Sequence, residues 1–508
     1  MKNSLLKNGF YNTVGGAVRI GLAVLTIPIL IRMLGIEEYG LWTLAYAVVQ
    51  VVNLAEAGLS VATTVFVSQD IEKEDADDLS NSLSETLTVT FGGMLIFASL
   101  AAIALLFGAE AIVSLFPKLG QVQQQTIQYA LQIGGLVVWA RLLQRVLIGV
   151  EQAYQRYDLT NLFNTIESLL LSFGMLIVIW LGGRTIALMQ WQAVAAIAIL
   201  LSHVWVFRTL TRNIKLNVNW NKKRGLAIAR YSLMTWLTSL GGMIFARGDR
   251  LIVGALLGSK VLGVYATITD LTTVINRLSD LPVQPLLPAL SKIITILDKD
   301  KNKLQQQIKQ AVEINTLVAL GLGTVFFTLA PFLMHIMLGD IVTSEYILAF
   351  RIEIIIGTLY SLYAVGYYVL FSVNAVVENL AIHLFSSLLS ILLIFIFSNR
   401  FGLIGAVLGN GGFLCVLSII FLGMKYLNIN KNTWLRWYTF PLFSFIVFTI
   451  VGFLIKDSLE CILCLCIVQV IMLIKWFIDS QATENDVIIK YFFYKILRKS
   501  LFYKNRKY

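Results

Sequence analysis

Apolar runs of eighteen residues or more recur along nearly the whole chain, separated by short polar connectors. Runs of that length span a bilayer as helices, whereas membrane strands would alternate apolar and polar positions over about ten residues. The pattern therefore predicts an all-α polytopic membrane protein. In order, helices are expected over about 10–34, 41–68, 83–107, 123–150, 159–181 and 185–207. Two more lie in the segment Arg230 to Pro288, joined by a Gly258-Ser259-Lys260 turn. Others follow over about 310–333, 347–371, 379–397, 402–423, 435–455 and 459–478, which makes fourteen spans.

The chain also repeats itself. Leu34-Gly35-Ile36-Glu37-Glu38-Tyr39-Gly40-Leu41-Trp42 aligns without a gap on Leu257-Gly258-Ser259-Lys260-Val261-Leu262-Gly263-Val264-Tyr265, 223 positions later. At the same offset Asn53 falls on Asn276 and Ser68 on Ser291. Two like halves are the expected plan: a six-helix lobe over 1–208, a linker over 209–229 and a second six-helix lobe over 230–424. Two added spans over 425–480 and a tail over 481–508 complete it. Parallel repeats of this kind are common in secondary transporters and place a cavity at the interface of the halves.

Composition agrees: 57% of the 508 residues are hydrophobic and only 14% charged, against roughly 25% charged in soluble domains. The net charge of +11 would suggest nucleic acid on a soluble protein. Here the basic residues gather in connectors, the pattern that orients membrane proteins, and no nucleic-acid partner is expected. Seven Lys or Arg and no acid lie between Arg208 and Arg230, and seven more lie between Lys490 and Tyr508. Both termini and the linker are thus expected in the cytoplasm, the tail lying on anionic lipid. The acidic connector Asp70 to Asp78 receives no role. The first apolar run has no small-residue cleavage site and is read as a retained helix.

Charged residues inside spans are costly and so point to function. Arg19, Arg141, Arg145, Arg247, Arg250 and Arg277 outweigh the acids, and guanidinium suits phosphate because its planar fork gives paired donors and stays charged. These six are the candidate substrate-binding residues; ion pairing within the bundle and snorkelling to headgroups are the competing roles. Glu56 and Asp249 are candidates for coupling or for ion pairs with nearby arginines. Pro282, Pro285 and Pro288 should break the eighth helix, which is tolerated against a water-filled path. Cys415, Cys461, Cys464 and Cys466 are read as small buried thiols. His203, His335 and His383 are scattered, so no metal site is expected, and no nucleotide-binding loop or other cofactor motif is present.

The stretch Arg32-Met33-Leu34-Gly35-Ile36-Glu37-Glu38-Tyr39-Gly40-Leu41-Trp42 carries a resemblance, together with Leu54-Ala55-Glu56-Ala57-Gly58-Leu59-Ser60 and Phe66-Val67-Ser68. It resembles the polysaccharide biosynthesis (O-antigen flippase, Wzx-like) branch of the multidrug/oligosaccharidyl-lipid/polysaccharide exporter superfamily. The resemblance implies a flippase, not an enzyme. It would move an undecaprenyl-diphosphate-linked oligosaccharide across a bacterial inner membrane by alternating access, for cell-surface polysaccharide or lipopolysaccharide synthesis. Membrane lipids and the pathway's glycan polymerase and glycosyltransferases are the expected partners, with one chain as the functional unit. A drug or small-metabolite exporter of the same superfamily is the alternative, though cationic drugs want more carboxylates. A membrane-embedded glycosyltransferase or polymerase would need a larger outer loop than any found here.

Overall fold

The computed structural model describes residues 26–73, 75–284, 286, 290, 301–373, 375–455 and 459–482. Among them every regular element is a helix. Helical residues 26–34 (α1) lead through Gly35 into α2 (Ile36–Val52), a 3₁₀ turn (Asn53–Glu56) and α3 (Leu59–Asp70). Then come α4 (Ala76–Ser114), α5 (Gln121–Ala153), α6 (Tyr157–Trp180), α7 (Thr185–Leu210) and α8 (Lys222–Asp280). The rest are α9 (Lys301–Leu338), α10 (Ser344–Ser361), α11 (Ala364–Ser372), α12 (Val376–Gly409), a 3₁₀ turn (Asn410–Leu417), α13 (Ser418–Tyr426), α14 (Lys431–Leu454) and α15 (Leu459–Ala482).

Ten helical stretches among the described residues are long and apolar enough to cross a membrane. The stretch 376–426 has 51 residues, about twice what one crossing needs, so ten is not a count of crossings. Large side chains on α4 face outward, with Phe107 79% exposed, and α15 turns Ile467, Val468, Ile471 and Ile478 the same way. A soluble protein would cover such surface; hydrocarbon solvates it.

The described chain falls into two compact units. The first contains the described residues within 26–274, 330–356 and 376–416. Within it α5 packs against α2, α3, α4, α6 and α7. The second contains the described residues within 275–329, 357–375 and 417–482. Its core joins Val283, Ile308, Val312, Leu362, Val365, Val369, Ile420, Met424, Trp434 and Tyr438.

Several expected helices differ in the structure. The helix expected over 41–68 is broken: after α2 the backbone takes positive φ at Ala57 (51°) and Gly58 (71°) before α3 begins. Gly58 also meets α8 so closely that a Cβ there would strike the Ser232 carbonyl oxygen. Steric fit, invisible in a hydrophobic run, sets this break. The expected turn at 398–401 falls at Gly402, φ 56°, where α12 doubles back on itself: a Cβ on Gly405 would strike the Phe397 carbonyl oxygen and one on Gly409 the Ile394 backbone. The helix expected over 310–333 is longer, running from Lys301 to Leu338 as α9. The helix carrying Arg277 stops at Asp280, two residues before Pro282, as the restriction before proline requires; Pro285 and Pro288 lie outside the described residues. Cys461 and Cys464 are exposed on α15, not buried.

The repeat has a structural counterpart. Gly35 and Gly258 both hold φ at 83°, and each starts a new helical direction. The aligned helices then cross at their aligned glycines. A Cβ on Gly40 would collide with the Ser259 carbonyl oxygen, and one on Gly263 with that of Ile36. Position 36 aligns with 259 and 40 with 263, so each repeat presents to the other the same residue positions. Small residues four apart give helices this close approach.

The acidic connector and the basic linker meet. Asp70, 1% exposed, accepts hydrogen bonds from Ser82 Oγ and Thr86 Oγ1, both at 2.5 Å, and ion-pairs with Arg224, whose guanidinium also lies 4.9 Å from the centre of the Phe66 ring. The linker runs along the start of α4. Ser80 donates to the Lys215 carbonyl at 2.5 Å, while the Asn217 and Asn219 amides donate to Ser84 Oγ and Thr88 Oγ1, both at 3.1 Å. Hydroxyls four apart on a helix thus serve alternate residues of an extended strand of chain.

Candidate functional site

The break after α2 opens a polar cavity of about 290 Å³, lined by Tyr46, Gln50 and Asn53, by Arg141, Gln144 and Arg145 of α5, and by Asn164, Glu167 and Ser168 of α6. Irregular backbone at membrane depth survives where it is buried in protein or lines a cavity, and interrupted helices mark transporter binding sites. The cavity is at the small end for ligand sites, enough for a headgroup or a sugar unit.

Two arginine–carboxylate pairs bound it. Arg141 lies 3.4 Å from Glu167, with side chains 13% and 21% exposed. Arg145 is 3.8 Å from Glu56 and remains 53% exposed. That second pair is loose, and a pair so exposed contributes about 0–1 kcal/mol. Its guanidinium therefore keeps donors for an anion at little cost. Gln144 is fixed by donating to the Ala196 carbonyl at 2.6 Å. Below the cavity α5 is pinned to α7 and α6: Glu151 meets His203 Nδ1 at 2.6 Å and accepts from Thr160 Oγ1 at 3.0 Å.

Arg250 and Asp249 lie elsewhere in the same unit. Arg250 is 6% exposed, its guanidinium against Asp270 at 2.5 Å. The Tyr265 hydroxyl lies 2.9 Å from Asp249 Oδ2 and 3.0 Å from Asn410 Oδ1, and Asn410 Nδ2 donates to Glu353 at 2.9 Å. This chain of side chains fastens the two arms of α8 to α10 and the turn after α12. Arg277, in the last turn of α8, is exposed and makes no ion pair among the described residues. Arg19 and the Arg247 side chain lie outside what is described.

The structure thus brings Arg141 and Arg145 to one cavity, with Glu56 against Arg145 but outside the lining. Sequence reasoning missed Glu167, although a lone acid within an apolar helix was a usable signal. Gln50, Gln144, Asn164 and Ser168 carried no such signal, because neutral polar residues are common on buried helix faces.

The helical order and broken helices define a class. The chain superposes on "Lipid II flippase MurJ, inward closed conformation" with a TM-score of 0.72 and 14% identity, over 94% of this chain and 99% of that one. It also superposes on an inward-facing multidrug resistance MATE family transporter of the MOP superfamily, with a TM-score of 0.66 and 15% identity, over 82% and 96%. The fold is that of the multidrug/oligosaccharidyl-lipid/polysaccharide exporters. Residues 5–294, more than half of the chain, match the family model described as polysaccharide biosynthesis protein, and the chain belongs to that family. Curated relatives include a "Putative O-antigen transporter" of Shigella flexneri, 20% identical over 66% of this chain and 77% of that protein. "Probable flippase AglR" of Haloferax volcanii is 22% identical over 59% and 57%. "Succinoglycan biosynthesis transport protein ExoT" of Rhizobium meliloti is 23% identical over 66% and 63%. The matched regions thus span less than two thirds of these last two relatives.

Proposed function

We propose that this multi-pass membrane protein is a flippase that carries a lipid-linked oligosaccharide, of the undecaprenyl-diphosphate type, across a bacterial plasma membrane during cell-surface polysaccharide synthesis. The observation that carries the reading is the cavity at the α2 break, where Arg145 stands half exposed beside Arg141. A diphosphate entering it displaces Glu56 from Arg145 and gains paired charge-assisted donors. Glu56, released, is the group that would couple binding to a proton or cation. Membership of the polysaccharide biosynthesis family supports a glycan-bearing substrate. The accompanying plan is two six-helix lobes and two added spans, fourteen in all, with the basic linker and both termini in the cytoplasm. Neighbouring glycosyltransferases and a polymerase would supply and consume the substrate.

Reconstitution with a fluorescent polyprenyl-diphosphate oligosaccharide tests this by measuring leaflet transfer. Arg145→Gln should lower transfer by roughly tenfold or more, the weight of one hydrogen bond to a charged group. Unchanged transfer in both Arg141→Gln and Arg145→Gln overturns the cavity assignment, and no transfer by the unaltered protein overturns the flippase reading. Glu167 in the cavity and Glu56 beside Arg145 favour, as a second reading, export of a cation; a fluorescent cationic dye in parallel vesicles separates the two.

A further inference from the structure

A second feature lies in the linker between α7 and α8. Its chain runs along the start of α4, tied there by the Asn217 and Asn219 amides on Ser84 and Thr88. Val218 and Trp220, two apart on extended chain, share a face, and they are 94% and 69% exposed. Leu226, early in α8, is 72% exposed. Single exposed apolar side chains are ordinary on any protein surface. Here a valine, a tryptophan and a leucine are exposed within one short stretch whose backbone is held in place.

Neighbouring helices set the depth of this edge. A Cβ on Gly225 would meet the Trp220 ring at 3.6 Å and Val89 at 3.7 Å, so the ring lies level with Val89 of α4. The exposed large apolar side chains of α4 begin further on, at Leu95, a rise of about 9 Å from Val89. One headgroup layer is about 5–8 Å thick, and tryptophan concentrates in that layer. The charge is one-sided as well. Arg212, Lys215, Lys222 and Lys223 are exposed, and none of them forms an ion pair among the described residues. Two acids that touch this stretch are engaged by other groups: Asp70 holds Arg224, and Glu85 accepts from Asn221 Nδ2 at 3.1 Å through each oxygen.

The geometry points to a docking surface for anionic phospholipid headgroups, made by Val218, Trp220 and Leu226 with the ammonium groups of Lys215, Lys222 and Lys223. That the lipids belong to the cytoplasmic leaflet rests on the proposed placement of the linker. The indole has an apolar body for the upper acyl chain and one N–H for a phosphate or carbonyl oxygen, which is why it suits a layer that is half wet. The lysines add a charge term that a zwitterionic lipid does not satisfy. A soluble partner would need a face clear of the bilayer, and this one lies at headgroup depth. Because the strap is fastened to α4 and leads directly into α8, lipids seated on it hold the entry of the second repeat against the first.

Lysine acetylation of the full-length protein in nanodiscs, read site by site by mass spectrometry, tests it. Discs of phosphatidylcholine are compared with discs that also contain phosphatidylglycerol. An anionic headgroup shields an ammonium group and keeps it protonated, so Lys222 and Lys223 should react roughly fivefold more slowly in the second discs, the weight of one basic residue at such a surface. High salt should remove the difference. Trp220→Ser should restore most of the faster rate, while Trp220→Phe should keep the protection. Equal rates in the two lipids overturn the surface, whether the lysines are then open to water or covered by another part of the chain. Protection that Trp220→Ser leaves intact reduces the effect to general surface charge and overturns it too. Where the serine variant does not purify as folded protein, native mass spectrometry decides: Lys222→Gln/Lys223→Gln should retain less phosphatidylglycerol than the unaltered protein, and equal retention overturns the surface. Discs expose both faces, so these results do not depend on sidedness or on leaflet transfer. A membrane-impermeant reagent reaching the same lysines from outside intact cells would overturn the cytoplasmic placement alone.

Discussion

The glycine crossing between the two repeats gives the sharpest quantitative expectation. Gly40→Ala places a methyl group on the Ser259 carbonyl oxygen, and Gly263→Ala places one on the Ile36 carbonyl oxygen. Both obstacles are backbone, so no side chain can rotate away and the helices must separate. Overpacking at its costly end is about 3 kcal/mol, and alanine returns about 1 kcal/mol through better helix propensity. Each variant should therefore lose roughly 2 kcal/mol. Because the two contacts are reciprocal, one separation relieves both. The double variant should lose only about 2–3 kcal/mol, a coupling of about 1–2 kcal/mol. Gly92→Ala is the control: nothing lies within 4 Å of a Cβ there, so the propensity gain stands alone. Thermal unfolding in detergent, followed by tryptophan fluorescence at one scan rate, should rank Gly92→Ala at or above the unaltered protein and both crossing variants below it. Equal midpoints for Gly40→Ala and Gly92→Ala, or fully additive losses in the double variant, would refute the reciprocal crossing.

Two further expectations concern buried charge. Arg224→Gln leaves the buried Asp70 carboxylate with only Ser82 and Thr86 as partners, at about 3 kcal/mol; Asp70→Asn should cost less. Limited proteolysis between residues 211 and 221 should speed up in the first variant more than in the second. Asn410→Leu removes the donor to buried Glu353 and should cost about 2 kcal/mol. Adding Glu353→Leu should recover part of that loss, and a further fall in the unfolding midpoint would count against the network.

Much of the fold was legible because burial in lipid leaves a coarse mark. A run such as Leu83–Phe107 must be a helix whatever it packs against, since a bilayer satisfies no backbone group. The repeat around Gly35 and Gly258 was legible too, because a positive φ and a close crossing both demand glycine. Of the candidate cavity, Arg141 and Arg145 could be read, since charge within a span is rare enough to be noticed. Glu167, Gln144 and Asn164 were not, because nothing along the chain says which neighbouring helix a polar side chain will meet.

Sequence alone decided that this chain is helical, spans a membrane, repeats itself and carries arginines where lipid would exclude them. Those are properties of residues and their spacing, set by transfer energies that act locally. Only the tertiary structure decided that the second helix breaks at Gly58, that Arg250 is buried against Asp270 while Arg145 is half exposed beside Glu56, and that Asp70 closes on Arg224. Each depends on the distance between groups far apart in the chain, and electrostatic and steric energies change steeply over an ångström or two. Hydrophobic periodicity places a helix in the membrane, but which of its charges is paired and which is left to bind follows from its neighbours.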